Sequence, residues 1–119
     1  MSLPNHPFFH RMVKNLDKPA VTDRSNITSA PARESTYRQL LTDVILLKRS
    51  ILSKHPSLAA RLQHEDVYIS YLSPGGYDFA VAFFTIWALG ACNVPLCKYI
   101  FLLLTCDDVH INIYTYIQY

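Results

Sequence analysis

Apolar residues recur along the chain at a few distinct spacings, and each spacing predicts an element. Leu40, Val44, Leu47 and Ile51 repeat at i, i+4, i+7 and i+11, with Leu41, Ile45 and Leu52 widening the stripe. Arg38, Asp43, Lys48 and Arg49 take the other side. Thr36, followed three residues later by Gln39, forms a capping box just ahead of this run, so a helix starts there and ends near Ser53 to Pro56. Upstream, residues Met1 to Lys18 read as a short helical lead-in after Leu3-Pro4, with Phe8, Phe9, Met12, Val13 and Leu16 sharing one docking face. Ala20-Val21-Thr22 fits a short strand. Asp23 to Ser35 is polar, contains Pro31 and predicts a surface loop.

The second half changes period. Val67 to Leu72 is rich in β-branched and aromatic residues and predicts a buried strand, which Ser73-Pro74-Gly75-Gly76 then turns. Tyr77 to Leu89 is nearly all apolar and closes at Gly90 in the place of a helix-terminating glycine, so it predicts a core helix. Ala91 to Leu96 follows as a second strand. Strand, helix and strand over this length make the βαβ unit of a parallel sheet, with its right-handed crossover. The fold class is therefore α/β, a partial parallel sheet with flanking helices.

A membrane span competes for the same residues, because Phe79 to Cys97 runs 19 positions without a charge. Gly90, Asn93 and Pro95 interrupt its second half, leaving Phe79 to Leu89 as the apolar helical part, about 16 Å long. That is too short to cross, and a buried helix followed by a buried strand is preferred. A small membrane-anchored protein held by residues 79–97 is the alternative.

Composition narrows the function classes. With 119 residues, half of them hydrophobic and 17% charged, the chain holds one small domain. A formal charge of +2 lacks the basic stripe that nucleic acid demands. Three glycines are too few for a glycine-rich phosphate loop. Cys92, Cys97 and Cys106 give neither a disulfide framework nor a zinc spacing, which points to a reducing compartment. No secretory signal is predicted, since Pro4, Pro7 and Pro19 break the basic amino-terminal stretch and no apolar core follows it. Asn26-Ile27-Thr28 is then a chance match to a glycosylation sequon.

Candidate chemistry is thin. His6 and His10 are four apart, as a helical metal pair would be, but Pro7 lies between them and no third ligand is indicated. His55, His64 and His110 lack patterned partners, and the adjacent Asp107 and Asp108 diverge on a helix or a strand alike. Ser73 lacks the Gly-x-Ser-x-Gly frame of a nucleophile elbow, and Cys92 reads as a small buried hydrophobe. No catalytic, cofactor-binding or metal residue is assigned.

One ordered set of residues resembles a known family. Thr36-Tyr37-x-x-Leu40, the strand Val67 to Leu72, Pro74-x-x-x-x-Phe79-x-x-Ala82-Phe83 and Trp87-Ala88-x-Gly90-Ala91-x-x-Val94-Pro95-Leu96 are similar to the amino-terminal part of AMP-dependent synthetases, the adenylate-forming acyl-CoA ligases. The lead-in Leu3-Pro4-x-His6-Pro7-Phe8-Phe9 most resembles fungal members related to malonyl-CoA and other acyl-CoA synthetases. The resemblance implies residues 1–96 as an amino-terminal fragment of an AMP-binding domain. Full-length relatives activate a carboxylic acid with ATP to an acyl-adenylate and pass the acyl group to coenzyme A, with ATP, Mg2+ and CoA as the cofactors implied. The phosphate loop, the adenine and ribose contacts and the catalytic lysine of such enzymes have no counterpart here. The fragment is expected to bind none of those cofactors and to be inactive alone, with cytoplasmic residence expected and mitochondria or peroxisomes left open. Self-association through exposed sheet edges is the expected partner behaviour.

The match stops at Leu96. Residues 97–119 contain no Gly, Pro, Ala, Arg or Glu and hold four of the eight tyrosines, ending in the strand-like, uncharged His110 to Tyr119. They are expected to be a non-family hydrophobic tail, such as translated intron sequence.

Overall fold

The computed structural model describes residues 3–23, 33–73 and 75–96. Their elements are α1 (Pro7–Val13), β1 (Pro19–Asp23), β2 (Arg33–Thr36), α2 (Tyr37–Lys54), α3 (Leu58–His64), β3 (Tyr68–Tyr71), α4 (Tyr77–Leu89) and β4 (Cys92–Pro95). This is a mixed α/β arrangement of four helices with two two-stranded sheets, one of them parallel.

The capping box predicted for α2 is complete. The Thr36 hydroxyl accepts the Gln39 N–H at 3.3 Å, and the Thr36 N–H donates to Gln39 Oε1 at 2.9 Å, which satisfies two donors that a bare helix start would orphan. The apolar stripe then buries Leu40, Leu41, Val44 and Ile51. Arg38 stays exposed and pairs with Asp17 at 3.1 Å. Two residues expected on the solvent side differ: Asp43 and Lys48 are half-buried, and burial holds the Lys48 ammonium below its ordinary pKa.

The βαβ unit forms with the predicted boundaries for its helix. β3 and β4 run parallel, Tyr68 facing Cys92 and Tyr71 facing Pro95, and the Leu96 N–H extends the ladder to the Tyr71 carbonyl at 2.9 Å. Between them α4 lasts 13 residues and stops where Gly90 turns left-handed at φ 80°, a conformation that glycine enters without a Cβ penalty. Thr85 is wholly buried and satisfies its hydroxyl on the Val81 carbonyl at 2.6 Å. Two apolar clusters result. Ile69, Tyr71, Ile86 and Leu89 join α4 to the parallel sheet, with Ile51 and Leu58 closing that cluster. Phe9, Met12, Leu40, Val44 and Ala88 join α1, α2 and α4 in the other.

Several expectations are corrected. The lead-in helix is shorter than Met1 to Lys18 and begins at Pro7, whose missing N–H is an orphan at that position anyway. It buries Phe9 and Met12 but leaves Phe8 and Val13 exposed. The segment expected as a loop ends in β2, paired antiparallel with β1 from Asp23 opposite Arg33 to Pro19 opposite Thr36. Cys92 is exposed, because it opens β4 at the sheet edge. No helix among the described residues is long and apolar enough to cross a membrane; α4 reaches about 20 Å against the roughly 30 Å of a hydrocarbon core. The readings of Asn26-Ile27-Thr28, Pro74, Cys97, Cys106, Asp107, Asp108, His110 and the strand-like His110 to Tyr119 lie outside the described residues.

Candidate functional site

The histidine pair resolves into separate structural duties. His6 Nδ1 accepts the Phe8 N–H at 3.2 Å and so caps α1, while its ring lies 5.5 Å from Trp87. His10 sits exposed on α1. Among the described residues no group of three or more His, Cys, Asp or Glu side chains is placed to hold a metal ion.

Polar side chains converge instead at the amino end of α4, just beyond the carboxyl end of β3, where α/β folds commonly gather ligands. Asp23 Oδ2 accepts the Tyr77 N–H at 3.1 Å, and the Tyr77 hydroxyl donates to Asp43 Oδ2 at 2.5 Å. The Arg33 guanidinium stands over the Tyr77 ring, 5.8 Å from its centroid. Four elements thus meet on one tyrosine. Gly76 makes the approach feasible: a Cβ there would run into the Asp23 carboxylate, and its φ of +87° favours glycine as well. Burial, followed by the hydrogen bond and charge of Asp43, pushes the Tyr77 phenol well above its usual pKa.

This constellation is a latch by its chemistry. Tyr77 keeps its proton at physiological pH, and the first N–H of α4 is spent on a carboxylate of the same chain. A free anion approaching this helix end would meet the carboxylates of Asp23 and Asp43, which already hold the Tyr77 N–H and hydroxyl.

Beneath α4, Ser70 Oγ, Tyr71 OH and Asn93 Oδ1 are buried without a hydrogen-bond partner among the described residues. The other end of that amide is satisfied, Asn93 Nδ2 donating to the Phe83 carbonyl at 3.2 Å. Tyr71 packs its ring 5.6 Å from Phe79, and burial raises its phenol pKa too. An unpaired buried polar atom costs about 1–3 kcal/mol, so this layer is held by apolar packing rather than by its polar atoms.

The outward side of α4 is aromatic. Phe79 stacks near Phe83 at 6.3 Å, Phe83 meets Trp87 at 6.4 Å, and Phe8 of α1 closes on Phe84 at 5.5 Å and on Trp87 at 5.0 Å. Phe8, Phe79 and Trp87 are each more than a third exposed.

Sequence reasoning assigned no site and missed the latch. Asp23 carries no local signal, because its partner is 54 positions away. Asp43 carries none either, since it lies roughly 115° from the centre of the α2 stripe at 100° per residue, among the positions that read as solvent-facing. No protein-family model matches the chain, and neither a curated protein nor a solved structure matches it.

Proposed function

We propose that residues 3–96 are the amino-terminal piece of an adenylate-forming acyl-CoA synthetase fold, a scaffold part without a catalytic group of its own. The observation that carries the reading is the parallel pairing of β3 with β4 across a 13-residue α4. Several of the residues on which the resemblance rests fall where the fold makes a demand, although Phe79 and Trp87 are more than a third exposed. Thr36 closes the capping box, Leu40 is buried, Ala88 and Ala91 fill core positions, and Gly90 supplies the left-handed stop. In full-length enzymes of that kind the carboxylic acid, ATP and CoA are handled by later segments, so the acyl substrate is set outside these residues.

The test is a chimera. Residues 3–96, put in place of the corresponding segment of a fungal malonyl-CoA-type synthetase, should leave ATP–pyrophosphate exchange running. A chimera that folds by circular dichroism and shows no exchange sinks the reading. The 119-residue chain alone should show no exchange with any fatty or dicarboxylic acid, and robust exchange would refute the claim that it lacks catalytic groups.

A further inference from the structure

We draw no further inference here: the strongest candidate, the exposed aromatic patch that Phe8 of α1 forms with Phe79 and Trp87 along the outward side of α4, is an unpartnered apolar face, and nothing in the structure shows what covers it.

Discussion

Asp23, the last residue of β1, accepts the backbone N–H of Tyr77, the first residue of α4, at 3.1 Å. A helix start normally finds its capping side chain one residue upstream, but Gly76 has none to offer, and Asp23 supplies the oxygen from the β1–β2 hairpin. The hairpin is thereby fastened to the βαβ unit.

That relationship predicts a coupled pair of substitutions. Asp23→Ala should cost about 1 kcal/mol, in the range of a lost helix cap. Gly76→Ala should cost more, because a backbone at φ 87° and ψ −142° is sparsely populated by L-residues and adds roughly 1–3 kcal/mol, and the new methyl collides with Asp23. In the Asp23→Ala background the collision is gone and only the backbone strain remains. Urea denaturation of the two single variants and the double should return a sum that overshoots the double by about 1 kcal/mol; strict additivity would mean that Asp23 does not approach Gly76 as described.

Tyr77 and Asp43 give a pH signature. With the folded-state phenol pKa raised by burial and by Asp43, the folded protein keeps the proton that the unfolded chain releases above about pH 10. The hydrogen-bonded contribution is therefore full below that pH and lost as pH rises toward the folded-state value. Lys48 works the other way at high pH, because its folded-state pKa is lowered. The difference between the chain and Tyr77→Phe isolates the tyrosine. Tyr77→Phe should cost about 2 kcal/mol near neutrality and should flatten the alkaline fall in stability followed by denaturant midpoints. A parallel fall in both proteins would place the titrating group elsewhere.

What the sequence made legible was local. The α2 cap, its stripe and the α4 stop at Gly90 are each set by residues within one or two turns, and the parallel unit follows from them by length. β2 escaped because Arg33–Thr36 has no apolar residue; its conformation comes from pairing with β1 and from the burial of Ser35. α3 escaped because Ser57, in the capping position, makes no side-chain cap, and one buried leucine, Leu58, is too little to set a period. The latch depends on long-range meetings of single residues, which no spacing encodes.

Gly90 and Thr36 test the local rules directly. Nothing lies within 4 Å of a Cβ built on Gly90, so Gly90→Ala meets only the strain of φ +80° and should cost about 1–2 kcal/mol. Gly90→Asn should cost less, since Asn tolerates the left-handed region best among the other residues. Thr36→Ala removes half of the capping box and should cost roughly 0.5–2 kcal/mol. Thermal unfolding that ranks Gly90→Asn as worse than Gly90→Ala would contradict the left-handed assignment.

Phe8 and Phe9 are neighbours in sequence but opposites in burial, 36% against 2% exposed. Phe9 fills the cluster shared with Met12, Leu40 and Val44, so Phe9→Ala removes a ring from a close-packed site and should cost about 3–5 kcal/mol. Phe8 covers Trp87 and Phe84 from outside, so Phe8→Ala forfeits only partial burial and ring contact, about 1 kcal/mol. The pattern of apolar residues alone gives the two positions equal weight. Denaturant midpoints for the two variants separate the readings: near-equal losses would put Phe8 in the core and remove the exposed aromatic face, while a large loss confined to Phe9→Ala fixes the direction in which α1 faces the rest of the protein.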